Sequence, residues 1–150
     1  LKAGRSLLAC RSTTESRQTT MIDSLALLST ALLFGGMTLY SFGFAAFLFT
    51  ALPAATAGAT LRRAFPWFYS FVMGVAALAA LFWWTHDRTS AWVLAAVALS
   101  TVPVRQGLMP AINRATDSGQ RKRFQWLHGL SVLVTLAHIA AAGWVLIRVA

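Results

Sequence analysis

No charged residue interrupts the stretch SLALLSTALLFGGMTLYSFGFAAFLFTAL, residues 24–52. A helix needs about 20 mostly apolar residues to cross the roughly 30 Å of hydrocarbon in a bilayer. The stretch is longer than that, so it predicts a transmembrane helix that is tilted or extends beyond the hydrocarbon.

Three further apolar runs follow, and the predicted spans cover residues 24–52, 67–85, 91–109 and 126–147. The third run is interrupted by Pro103 and carries Arg105 about a turn from its end. It can span only if Arg105 reaches the headgroups or the bundle interior, with neighbouring groups bonding the backbone that Pro103 leaves free.

The composition supports the same interpretation. Hydrophobic residues make up 57% of the 150 residues and charged residues only 11%, whereas a soluble domain usually has about a quarter charged residues. The few polar residues could not cover a water-facing surface. We therefore predict an all-α integral membrane four-helix bundle, with residues 21–150 as its one domain.

Basic residues are concentrated between the runs. The first connection contains Arg62 and Arg63, whereas in the second Arg88 is offset by Asp87. The third connection and its surroundings contain Arg105, Arg114, Arg121, Lys122 and Arg123. By the positive-inside rule, the first and third connections face the cytoplasm and both termini are external. A bacterial inner membrane is the favoured location, with an organellar membrane as the alternative.

The net charge of +9 comes from basic residues between the spans, where they determine the orientation in the membrane. It does not predict nucleic acid as a partner, because no aromatic residues that could stack on bases alternate with the basic ones. A single cysteine, Cys10, excludes an internal disulfide. The tryptophans lie within about a turn of the predicted span ends, where such rings prefer the headgroup level. They are Trp67, Trp83, Trp84, Trp92, Trp126 and Trp144.

Residues 1–20 conflict with this orientation, because they add four basic side chains to the external side. The conflict disappears if native translation starts at Met21, which directly precedes the first run, so that residues 1–20 are a non-native tail. The alternative is an organellar transit peptide, since the segment is rich in Arg, Ser and Thr and poor in acids.

Small residues recur every seven positions on the first span and define a small-residue seam, Ser29, Gly36, Gly43 and Thr50. Between helices in lipid, association depends on close contact at such residues. The seam therefore packs either within this bundle or against another protein. After the seam, Leu52 to Gly58 carries turn signals, and residues 61–66 are expected to lie along the membrane surface.

Three ionisable side chains fall in or beside the spans. His138, about 18 Å along the helix from Trp126, could bind haem or metal or relay protons, or be a neutral imidazole bonded to a neighbouring helix. A bis-histidine haem is disfavoured because His86 and His128 are poorly placed, which leaves a single-histidine haem as the remaining cofactor possibility. His128 could hold an anionic headgroup or a partner's carboxylate, and Arg105 could snorkel or bind a substrate.

Groups for catalysis are missing from the sequence. It has no carboxylate within a span, no pair of carboxylates for acid–base work and no Gly-rich phosphate loop, HExxH or GxSxG motif. We therefore expect no enzyme, no tightly bound metal and no soluble substrate. A proton- or sodium-coupled carrier would lack its usual coupling group.

Several stretches of the chain form a recognisable pattern: Phe44 to Phe49 with Pro53, Ala57-Gly58, Phe65 to Tyr69, Pro110, and Phe124 to Ser131. By this pattern, residues from about 25 to 148 resemble the transmembrane protein 205-like family of small four-span proteins. The family often has asparagine where Thr135 stands, and His138 is not in its pattern. The resemblance implies four helices in a membrane and no established reaction.

A chain without catalytic groups or a soluble domain acts through its helix surfaces and basic connections. The sequence therefore favours a non-catalytic accessory or assembly subunit of a larger, energy-transducing membrane complex. Its partners would be lipids and other membrane subunits, bound through the small-residue seam or through the basic residues and His128. The alternatives are a small-solute or drug transporter and a haem- or quinone-linked redox protein.

Overall fold

A computed structural model describes residues 20–149 with their side chains and residues 2–19 as helical backbone alone. The elements are α1 (Lys2–Thr38), π1 (Leu39–Phe44), α2 (Ala45–Ala51), α3 (Ala54–Trp83), α4 (Arg88–Pro103), π2 (Val104–Leu108), α5 (Met109–Asp117) and α6 (Arg121–Val149). Elements π1 and π2 are π-helical turns inside longer helices. The predicted tail lies, except for Thr20, outside the residues described with side chains.

Four helical stretches are long and apolar enough to cross a membrane: Thr20–Ala51, Ala54–Trp83, Arg88–Asp117 and Arg121–Val149. Their 29 to 32 residues correspond to about 44–48 Å of helix, which exceeds the roughly 30 Å hydrocarbon layer. The helix ends therefore extend into the headgroup region. The predicted all-α four-helix architecture is confirmed, and the chain is a multi-pass membrane protein.

The first connection is shorter than the sequence suggested. Only Leu52 and Pro53 separate α2 from α3, and residues 61–66 belong to α3, with Pro66 inside the helix. The expected separate surface segment is thus wrong. The residues after Pro53 are rich in alanine, which is a strong helix former. The fixed φ of Pro53 also favours the start of a helix, so α3 begins directly after it. Arg62 and Arg63 therefore lie in the third turn of α3.

The π-helix π1 changes which sequence positions of the first span are buried. Before it, Ala26, Thr30, Leu33 and Met37 are fully buried at alternating spacings of four and three residues. Within it, the Ala45 N–H donates to the Tyr40 carbonyl, five residues back. This wider turn holds one residue more than an α-turn, so the following residues are rotated by about 100°. After it, the buried residue is Leu48, whereas the seven-residue spacing of Ala26 and Leu33 would place position 47 there.

The main core lies around α3, which packs against α1 on one side and α4 on the other, with α6 against α1 and α4. Trp83 is buried in this core, and its Nε1 donates to Thr30 Oγ1 at 3.1 Å. Trp83 is the last residue of α3, so it lies at a span end as predicted, but its ring is buried between helices. The other five tryptophans are between 37% and 79% exposed.

Polar contacts distinguish two ends of the bundle. At the closed end, the His86 Nδ1 lies 3.2 Å from Asp23 Oδ1, and the Arg148 Nε lies 3.2 Å from Asp87 Oδ2. These pairs join the start of the first span, the second connection and the end of α6. The opposite, open end contains the first and third connections, where Arg62 pairs with Asp117 at 2.8 Å. Which end faces the cytoplasm stays a prediction.

Candidate functional site

A cavity of about 860 Å³ lies at the open end. One wall is formed by π1, α2 and the first half of α3, and the other by α5 and the first half of α6. On α6 its lining runs from Phe124 to Leu136, which is about 18 Å along the helix axis. The cavity is therefore elongated along the bundle and extends from the connections toward the middle of the spans.

Basic and polar side chains line the cavity near the connections. Arg62 and Arg63 reach it from α3, and Asn113 and Thr116 reach it from α5. The Arg62 guanidinium is held by Asp117, while Arg63 is exposed. This part of the lining, the basic mouth (Arg62, Arg63, Asn113 and Thr116), carries more positive than negative charge.

Deeper in the cavity the lining is aromatic and aliphatic. The Tyr40 ring stacks on Phe68 with centroids 4.1 Å apart, and Phe65 meets both rings edge-on. The Tyr40 hydroxyl is buried and has no hydrogen-bond partner. Buried polar groups nearly always have a partner, so this donor marks a place where the described residues leave a bond unmade.

His128 lies in the α6 wall of the cavity. Its ring stacks on Phe124, with centroids 5.4 Å apart and planes 5° from parallel. The His128 carbonyl accepts a hydrogen bond from Ser131 Oγ at 2.8 Å. The predicted headgroup ligand is thus located beside an apolar cavity, next to the basic mouth.

The other predicted basic residues lie outside the cavity lining. Arg121, Lys122 and Arg123 are exposed at the start of α6. Arg105 lies on π2, and its Nε is, with the Tyr40 hydroxyl, one of the two buried side-chain polar atoms without a partner among residues 20–149. Among residues 20–149, the three aspartates pair with other residues, and none of them pairs with Arg105.

His138 lies on α6 in the half toward the closed end. Its Nε2 is 2.8 Å from Ser100 Oγ on α4, so the imidazole joins two helices through a hydroxyl. This is the interhelical bond that the sequence offered as one interpretation of His138. Across residues 20–149, no group of three or more His, Cys, Asp or Glu side chains is arranged to hold a metal ion.

The small-residue seam is divided between two environments. Ser29 is buried, and a Cβ at Gly36 would lie 2.6 Å from Phe71 Cζ on α3. Gly43, within π1, and Thr50, after it, are exposed. The first half of the seam thus packs inside the bundle, while the second half lies on its outer surface.

A sequence model of the family described as Domain of unknown function (DUF4149) matches residues 28–121, more than half of the chain. The chain belongs to the DUF4149 family. The DUF4149 match includes π1, α2, α3 and α5, which are four of the five elements that line the cavity. It ends where α6 begins, so His128 and His138 lie beyond it. No curated protein and no solved structure matches the chain.

Sequence reasoning missed the cavity and the residues that shape it. Tyr40, Asn113, Thr116 and Ser100 were not predicted as site residues. The available signal was the dense aromatic content of residues 40–49 and 65–69, which a core or a ligand could equally explain. Neither π-helix has a recognisable local sequence pattern.

Proposed function

We propose that this DUF4149 protein is a non-catalytic accessory or assembly subunit of a larger, energy-transducing membrane complex. One observation supports this most: from π1 onward, the first span presents small residues on the outside of the bundle. Gly43, Ala46 and Thr50 are all exposed and share one helix face. This outer face (Gly43, Ala46 and Thr50) is the surface that we assign to a partner's transmembrane helix.

Small residues suit such a contact because lipid provides no hydrophobic force between helices. Association then depends on close approach of two backbones, which bulky side chains prevent. Phe42, Phe47 and Phe49 flank the outer face and are 54% to 63% exposed, which adds apolar area around the point of approach. Arg121, Lys122 and Arg123 at the start of α6 would contact acidic residues of the same complex.

The finer family name and location belong to this proposal. The aromatic and proline pattern of residues 44–69 supports a place among the transmembrane protein 205-like proteins. The excess of basic residues at the open end supports a bacterial inner membrane orientation with both termini external.

Transport by a carboxylate-coupled carrier has less support, because the three acidic residues among residues 20–149, Asp23, Asp87 and Asp117, lie at or near the ends of the membrane-spanning stretches. A haem- or quinone-linked redox role would have to use His138, whose Nε2 is engaged with Ser100. We therefore propose binding without catalysis or a resident cofactor.

The proposal is tested by copurification in mild detergent from native membranes. We expect a complex larger than the chain, which Gly43→Leu disrupts because its side chain blocks the outer face. Gly43→Leu should preserve the fold, since the nearest obstacle is the flexible Leu39 side chain, 3.0 Å from the added Cβ.

The matched control is Gly74→Leu, which adds the same side chain to an exposed position on α3 with nothing within 4 Å. It should leave the complex intact. A chain that migrates alone at every detergent concentration, or that loses partners equally with either variant, would contradict the accessory role.

A further inference from the structure

We propose that the cavity at the open end binds one anionic phospholipid, with its phosphate at the basic mouth and its acyl chains along the aromatic wall. The cavity does not include the outer face itself (Gly43, Ala46 and Thr50), although Phe42 and Phe49 border both surfaces. Lipid binding does not depend on the accessory role, and it would make the protein a specific lipid-binding membrane protein.

The polarity of the lining follows that of a lipid. Arg62, Arg63, Asn113 and Thr116 are grouped at the mouth, whereas Phe68, Val132 and Leu136 lie deeper. The change occurs along the helix axis, over the roughly 18 Å that separate Phe124 from Leu136 on α6. A molecule with a polar head and an apolar tail fits this gradient, whereas a uniformly polar solute does not.

The charge at the mouth selects for an anion. Asp117 offsets one of the two arginines that line it, and the other carboxylates among residues 20–149, Asp23 and Asp87, lie at the closed end. Arg63 therefore has no carboxylate beside it, and an arginine binds phosphate oxygens well because its donors form a planar fork. A net anionic headgroup completes the charge balance better than a zwitterionic one.

The Tyr40 ring forms part of the aromatic wall of the cavity. It stacks on Phe68, which is about 9 Å along α3 from Arg62. The wall therefore begins at the depth where the acyl chains start in a phospholipid whose phosphate lies at the mouth. The Tyr40 hydroxyl is enclosed by protein, so the ring contributes to this wall as an apolar surface.

The cavity is large enough and reaches the lipid. Its volume of about 860 Å³ falls within the range of about 300–1,000 Å³ that is usual for ligand sites. Phe42 and Phe49 belong to its lining and are also 59% and 54% exposed. The site is thus continuous with the lipid-facing surface, so the acyl chains can enter sideways and extend into the bilayer.

Native mass spectrometry of the full chain, released from detergent after titration with phosphatidylglycerol or phosphatidylcholine, tests the proposal. We expect one retained phosphatidylglycerol per chain, bound at least fivefold more tightly than phosphatidylcholine. Arg63→Gln should weaken binding of phosphatidylglycerol about fivefold, the effect of losing one cation near an anionic headgroup. Arg121→Gln removes the same charge at an exposed position outside the cavity and should change binding less than twofold.

A second pair of variants tests the apolar part. Leu136→Trp fills the cavity and should abolish retention of phosphatidylglycerol, whereas Leu133→Trp adds the same bulk to a neighbouring position outside the lining and should not. Circular dichroism and monodisperse elution verify the fold of each variant. If Leu136→Trp does not fold, the arginine pair decides alone.

Three results would overturn the proposal. They are equal retention of the two lipids, equal losses with Arg63→Gln and Arg121→Gln, and displacement of phosphatidylglycerol by millimolar inorganic phosphate. The last would mean that the mouth is a free-phosphate site.

Discussion

The closed end and the open end of this bundle satisfy their buried polar groups in different ways. At the closed end, Trp83 donates to Thr30 inside the core, and the His86–Asp23 contact and the Arg148–Asp87 ion pair join the surrounding segments. At the open end, Tyr40 is also an aromatic residue with a polar group, but its hydroxyl is buried without a partner beside a cavity. The difference indicates that the closed end holds the helices together, while the open end is available for binding.

The largest expected effect concerns which end faces the cytoplasm, because the result is all or none. The basic residues of the open end predict that it is cytoplasmic. Reporter fusions after Thr85 and after Ala150 should therefore both give periplasmic signals. A cytoplasmic signal from either fusion would contradict the predicted orientation.

Glycine substitutions should separate the tightly packed part of the bundle from the open end. Gly36→Leu places its Cβ 2.6 Å from the Phe71 ring and should lower the free energy of unfolding by about 2–3 kcal/mol. Gly58→Leu, in the cavity lining with nothing within 4 Å, should raise it by about 0.5–1 kcal/mol through helix propensity.

Both free energies can be measured by SDS titration of the protein in detergent. Gly35→Leu is the control for Gly36→Leu, since the neighbouring position is open. Equal destabilisation at Gly36 and Gly58 would show that the two regions are packed alike.

Removing single polar groups should have a smaller effect of opposite sign at the two ends. Thr30→Val deletes the acceptor of the Trp83 N–H, and we expect a loss of about 1 kcal/mol of unfolding free energy. Tyr40→Phe deletes an unpartnered hydroxyl, so in lipid-free detergent it should gain about 1 kcal/mol. Equal losses from both substitutions in the same SDS titration would contradict the comparison.

The smallest effect is the pH dependence of the closed end. The hydrogen bond from Ser90, followed by that from Arg148, lowers the pKa of Asp87 below its ordinary value of 3.8, against the opposing effect of burial. Because the folded pKa is lowered, the stabilisation is present above pH 3.8 and is lost as the pH falls through the folded pKa.

The thermal unfolding midpoint of the wild type should therefore decrease in this acid range more than that of Asp87→Asn. Asparagine is a matched replacement because it still caps α4 by accepting from the Thr89 N–H. Identical acid profiles for the two proteins would show that Asp87 makes no such contribution.

The helical architecture was predictable because it depends on a property that accumulates along the chain. Lipid requires every backbone group to be bonded within a span, so a long apolar run such as residues 24–52 has only one suitable structure. The surface segment at residues 61–66 was predicted wrongly because a proline and a glycine outweighed the helix-forming alanines around them. The burial of Trp83 was not predicted, because a position near a span end does not show whether a side chain faces lipid or another helix.

The candidate site was only partly predictable. Arg62, Arg63 and His128 were found because charged and ionisable residues next to spans are uncommon. These residues line one cavity because π1, α2 and α3 form one of its walls and α5 and α6 form the other. The environment of Tyr40 depends on π1, to which Tyr40 belongs. These are properties of packing between residues far apart in sequence, which periodicity along one helix does not contain.

The π-helix π1 also has a consequence for the history of the first span. A turn with one extra residue is how a helix absorbs a single-residue insertion without breaking, so the residues beyond it keep the face that they would have without the insertion. A deletion of one residue within 39–44 would therefore convert π1 to ordinary α-helix and leave Leu48 buried and Thr50 exposed. Conversion of π1 to α-helix without a deletion would instead rotate Thr50 by about 100°, toward the face that Ser29 and Gly36 share. The first span can thus lose one codon at this turn without changing which of its later residues face the membrane.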